Sequence, residues 1–100
     1  MNYHGIEISK QSIAEFCYLR HIRRLALFGS ILREDFGSES DIDVLVEFEP
    51  GATPGFEFIG IQDELSDIMG YPVDLHTPAS LSKYFRDEVL REAEALYDAA

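Results

Sequence analysis

The segment DIDVLVEFE, residues 41–49, constrains the fold more than any other part of the chain. Apolar and acidic residues alternate through it, and a period of two sorts them into two faces only on an extended strand. Ile42, Val44, Val46 and Phe48 share one face; Asp41, Asp43, Leu45 and Glu47 share the other. The first face demands cover from helices. The second opens with two carboxylates pointing the same way. Aspartate is depleted in strands, so a pair at the head of one asks for a chemical reason.

The remaining segments supply the cover. Ser9 caps a helix running to about residue 20, with Ile13, Phe16 and Cys17 on one side. RHIRR, residues 20–24, reads as a solvated helix end, and RRLALF as a buried strand ending at Gly29. Ser30 begins a short helical turn, SILRED, before the loop FGSES. PGATPG then breaks the acidic strand, and a helix follows over about 56–69, with Phe56, Ile59, Leu65 and Ile68 apolar and Gly70 at its end. YPVDLHT is a third strand, with Val73 and Leu75 on the apolar side and Asp74 and His76 on the other. His76 reads as a plain surface residue or as a rim to whatever Asp74 does. The C-terminal segment reads as helical, broken near Arg86. Its three- and four-residue spacing of Leu81, Tyr84, Phe85, Val89, Leu90, Ala93 and Leu96 predicts a helix, with Tyr84, Phe85 and Tyr97 in the core. Strands alternating with helices predict one small α/β (α+β) domain over residues 1–100, helices mainly on the apolar face of its sheet and the acidic face open.

Composition narrows the function. An apolar fraction of 46% suits an ordinary globular core, and no apolar run approaches a membrane span. The N-terminus lacks the apolar stretch of a secretory signal, so a cytoplasmic protein is expected. The single cysteine, Cys17, excludes an internal disulfide framework and a cysteine-based zinc site, and its helical position reads as buried. Nineteen acidic against eight basic residues give a net charge of −11. That argues against general electrostatic binding of nucleic acid and favours a cation or a basic protein partner.

If the second and third strands are neighbours, Asp74 joins Asp41 and Asp43. Two unit charges about 5 Å apart at an effective dielectric of about 20 repel by roughly 3 kcal/mol, so three such pairs cost roughly 10 kcal/mol. That rivals the whole stability of a small domain. Such carboxylates either spread into water as a solvated acidic face or hold a cation, and oxygen ligands alone suit Mg²⁺ or Mn²⁺. Gly29-Ser30 lies at a strand-to-helix junction, where backbone N–H groups favour an anion. Anion cradle and dication site together fit a nucleoside triphosphate with Mg²⁺.

Gly29-Ser30, ten residues, then Asp41-Ile42-Asp43 resembles the signature of the DNA-polymerase-β-type nucleotidyltransferase superfamily. The SDIDVLV context and YPVDLHTPASL resemble its minimal nucleotidyltransferases (MNT), the antitoxin partners of HEPN ribonuclease toxins. The resemblance covers nearly the whole chain, most closely residues 25–49 and 71–98. It implies a polymerase-β-like fold on a small mixed sheet. It further implies metal binding by Asp41 and Asp43, Asp74 as the third carboxylate, and Gly29 and Ser30 on the triphosphate. Arg33 stands where relatives often carry an arginine, although Leu32 and Glu34 replace the usual small neighbours. The implied reaction moves AMP from ATP, with two Mg²⁺ ions or Mn²⁺ in their place, to a tyrosine of a partner HEPN toxin. Neither direct nucleic-acid contact nor a membrane is implied. Transfer to a small molecule or an RNA end, and neutralisation of the toxin by binding alone, remain the alternatives.

Overall fold

The computed structural model describes residues 1–52 and 54–99. The chain opens with a hairpin, β1 (Asn2–Tyr3) and β2 (Ile6–Glu7). Its connecting residues His4 (φ 54°) and Gly5 (φ 83°) both have positive φ, the requirement of a type I′ hairpin turn. Helix α1 (Lys10–Leu19) is capped by the Ser9 hydroxyl, which accepts from the Ser12 N–H at 3.2 Å, and buries Ile13, Phe16 and Cys17. Strand β3 (Ile22–Phe28) runs into a 3₁₀ turn, Gly29–Leu32; β4 (Ile42–Phe48), α2 (Glu57–Met69) and β5 (Val73–His76) follow. After a second 3₁₀ turn, Pro78–Ser80, come α3 (Arg86–Glu92) and β6 (Glu94–Asp98).

The four long strands form one mixed sheet in the order β5-β4-β3-β6. β3 pairs antiparallel with β4 and β6, and β4 pairs parallel with β5. A parallel neighbour needs a crossover, and α2 provides it. The apolar side of the alternation packs on α1 and α2: Ile42, Val44 and Val46 of β4 share a core with Phe16, Cys17, Ile61, Leu65 and Met69. Among the described residues no helix is long and apolar enough to cross a membrane.

Four expectations fail. The helical reading of the C-terminus stops at Glu92, and the next segment leaves the helix to pair with the otherwise open edge of β3. A row of unmet backbone donors and acceptors on that edge outweighs the helix spacing of Ala93 and Leu96. Tyr84 and Phe85 are consequently exposed, while Tyr97 packs on the core. Helix α2 turns Ile61, Leu65 and Met69 inward at four-residue steps, leaving Phe56 and Ile59 in solvent. The second face of the sheet is only half open, because Ala26, Phe28 and Leu45 are covered by Leu81 and by Val89 and Leu90 of α3. Arg23 and Arg24 lie in β3, as the strand reading of RRLALF expects, so of RHIRR it is Arg20 that ends helix α1.

Candidate active site

Parallel pairing of β4 and β5 sets Asp43 directly opposite Asp74. Opposed residues on adjacent strands point to the same side of the sheet about 4.8 Å apart, so the two carboxylates are forced together by register. His76 lies two residues further along β5 and so shares that side. Its Nε2 sits 3.0 Å from Asp74 Oδ2 and 4.0 Å from Asp43 Oδ1, and its ring packs edge-on against Phe28 at 5.4 Å. Asp41 falls one residue before β4 and is exposed, outside the cluster but close enough for its charge to be felt at Asp43.

Asp43 is the perturbed group. Burial raises its pKa above the ordinary carboxylate value, and the negative charges of Asp74 and Asp41 push the same way, against the pull of His76 and Arg33. Among the described residues, neither Asp43 nor Asp74 has a lysine or arginine ion pair.

The turn that follows β3 lies against this pair. Gly29 has φ +76°, and a Cβ built there would overlap the Asp43 carboxylate, whose Cγ would lie at 3.2 Å. Only glycine permits both the backbone angle and the approach. The adjoining Ser30 is half-buried, and no side chain caps the start of the 3₁₀ turn. Arg33, at the turn's far end, is exposed with its Nε 3.5 Å from Asp35 Oδ1.

The loop between Gly29-Ser30 and Asp41 is held by a stack that sequence reasoning did not find. His4 Nε2 lies 3.0 Å from the Ile31 carbonyl oxygen, and its ring stacks on Phe36 at 5.1 Å. Phe36 in turn meets Tyr71 at 5.4 Å, and the Tyr71 hydroxyl donates to the Gly37 carbonyl at 2.9 Å. The structure thus brings Asp43, Asp74 and Gly29 into one site and leaves Asp41, Ser30 and Arg33 on its margin. It adds His76, for which the shared face of Asp74 and His76 was the available signal. Ligand atoms of Asp43, Asp74 and His76 all lie within 4.8 Å of one another. Strand-borne carboxylates without arginine partners are the donor set that a divalent cation would complete.

Residues 9–96 match the nucleotidyltransferase domain family. The chain is similar to the protein adenylyltransferase MntA of Thermococcus cleftensis, 36% identical over 72 residues that cover 71% of each protein. It is also similar to a solved minimal nucleotidyltransferase, at 31% identity and a TM-score of 0.69, over 84% of this chain and 85% of that one. A complex of the tri-AMPylated Shewanella oneidensis HEPN toxin with its MNT antitoxin aligns at a TM-score of 0.61, over 89% of this chain and 69% of that chain. At 20% identity the last likeness is one of fold.

Proposed function

The chain belongs to the nucleotidyltransferase domain family, and from that membership we propose that it transfers AMP from ATP to a tyrosine of a HEPN-type ribonuclease toxin, acting as the toxin's antitoxin. The observation that carries this reading is the in-register pair Asp43 and Asp74, without a lysine or arginine ion pair among the described residues and roofed by Gly29. In this reading Asp41, Asp43 and Asp74 hold two Mg²⁺ ions, for which Mn²⁺ can substitute. Bound Mg²⁺ supplies charge to the α-phosphate and to the departing diphosphate, and lowers the pKa of the attacking hydroxyl. Gly29 and Ser30 hold the triphosphate through backbone N–H groups and the serine hydroxyl, and Arg33 adds positive charge at the end of the turn. The tyrosine oxygen bonds to the α-phosphorus as the bond to the β-phosphate breaks. Asp74, half exposed on the open side of the pair, accepts the tyrosine proton.

The toxin as acceptor is supported by the relative named protein adenylyltransferase and by the AMPylated complex that shares the fold. A net charge of −11 suits a basic protein partner better than nucleic acid. Such a pair acts in the cytoplasm. The test is intact-mass measurement of the toxin after incubation with this protein, ATP and Mg²⁺. Increments of one AMP residue each are expected, and none with Asp41→Asn/Asp43→Asn. Unmodified toxin beside labelled RNA or a labelled small molecule would assign a different acceptor. Full protection of cells by the double variant would mean neutralisation by binding.

A further inference from the structure

We propose that His76 is a nitrogen ligand of the Asp43–Asp74 metal site and shifts its preference from Mg²⁺ toward first-row transition ions. The inference rests on the reading of that carboxylate pair as metal-binding and concerns which ion the pair takes.

Ligands about 2.1 Å from an octahedral ion lie about 3.0 Å apart when adjacent and about 4.2 Å apart when opposite. His76 Nε2 is 3.0 Å from Asp74 Oδ2 and 4.0 Å from Asp43 Oδ1, and the ligand atoms of all three residues lie within 4.8 Å of one another, near enough to converge on one ion with small side-chain adjustments. The ring is also held in place. Strand alternation puts His76 on the face of Asp74, Phe28 packs against it, and its side chain is 28% exposed against 50% for Asp74. His76 Nε2 is thereby held within reach of both carboxylates. Coordination uses the Nε2 lone pair, which places the ring proton on Nδ1.

The chemistry then separates the ions. Mg²⁺ prefers oxygen and dehydrates reluctantly, whereas imidazole nitrogen favours transition ions over it. One nitrogen donor among carboxylates therefore strengthens Mn²⁺ relative to Mg²⁺. A plain hydrogen bond from His76 to Asp74 would strengthen both alike by orienting the carboxylate.

Mn²⁺ and Mg²⁺, added without nucleotide to the whole protein, distinguish these cases. Pulsed electron paramagnetic resonance of the wild-type Mn²⁺ complex should show coupling to an imidazole ¹⁴N. His76→Ala and His76→Gln should both lose that coupling and weaken Mn²⁺ by at least about tenfold, with Mg²⁺ affected much less. Glutamine keeps a donor for Asp74, so its failure to restore Mn²⁺ binding marks a ligand. Bound Mn²⁺ without nitrogen coupling, or equal losses for both ions rescued by glutamine, would overturn the inference while leaving the carboxylate site intact. Wild-type protein that binds neither ion would overturn both.

Discussion

Strand β4 carries two interior carboxylates on one face, Asp43 near its start and Glu47 near its end, and the sheet treats them in opposite ways. Glu47 accepts from Arg23 at 2.9 Å and from Arg24 at 3.3 Å, and Arg24 lies 3.8 Å from Asp98 on β6. Asp43 instead faces Asp74, with Asp41 close by. Burial does not explain the contrast, since the side chains are 24% and 30% exposed. Partners do. The β3 and β6 side of the sheet pairs its charges with arginines, whereas the β5 side sets like charges together with His76 beside them. One end of the strand is neutralised by its neighbours, and the other is the candidate site.

Exchanging the two acids for their amides should affect the two ends of the strand differently. Asp43→Asn should abolish transfer, a loss of several kcal/mol in the barrier or about a thousandfold or more in rate, in an assay of toxin adenylylation. Glu47→Gln should leave the rate within about twofold and lower stability by up to about 1 kcal/mol in a denaturant melt, because its partners are part-exposed arginines. Gly29→Val comes next. It places a Cβ on the Asp43 carboxylate and costs about 1–2 kcal/mol of backbone strain, so both rate and melting temperature should fall. Ser30→Ala removes one hydroxyl donor to a charged group, about 1.5–3 kcal/mol, and should slow transfer about ten- to hundredfold without moving the melt.

The smallest effect is on pH. Because the folded pKa of Asp43 is raised, the folded chain holds that proton longer than the unfolded one. Its contribution to stability is complete below the ordinary value of 3.8 and is lost as pH rises through the higher folded value. Metal-free melts across the acid range should therefore show the wild type losing stability relative to Asp43→Asn as pH rises through that window. A constant difference between the two would mean that Asp43 ionises without strain.

Much of this contrast was legible in the sequence. The alternation of β4 and β5 puts Asp41, Asp43 and Asp74 on one face if the two strands are neighbours; the parallel pairing meets that condition and its register selects Asp43 as the partner of Asp74. Ser9 as a cap and Gly29 at the turn were likewise visible from local chemistry. The compensated end was hidden. Arg23 and Arg24 both reach Glu47 because β3 pairs antiparallel with β4 and its register shifts between Ile22 and Arg24, and the helical spacing of Ala93 and Leu96 conceals β6. Pairing with a distant strand decides such a segment, and local propensity does not record it. The loop-holding stack of His4, Phe36 and Tyr71 stayed invisible for the same reason, its members being far apart in sequence. His76 is ambiguous in the sequence because one histidine near one aspartate is common on surfaces, and its second neighbour Asp43, at 4.0 Å, comes from the strand pairing.

The claim that one end of β4 is a cation site is tested most directly by melting the wild type, Asp43→Asn and Glu47→Gln with and without saturating Mg²⁺ and a non-hydrolysable ATP analogue. Ligand at about a hundredfold over its dissociation constant stabilises a fold by about 2.7 kcal/mol, a shift of several degrees or more in a domain of this size. That shift is expected for the wild type, the same shift for Glu47→Gln from its lower starting point, and almost none for Asp43→Asn. A shift in Asp43→Asn equal to that of the wild type, or none in any of the three, would contradict that claim.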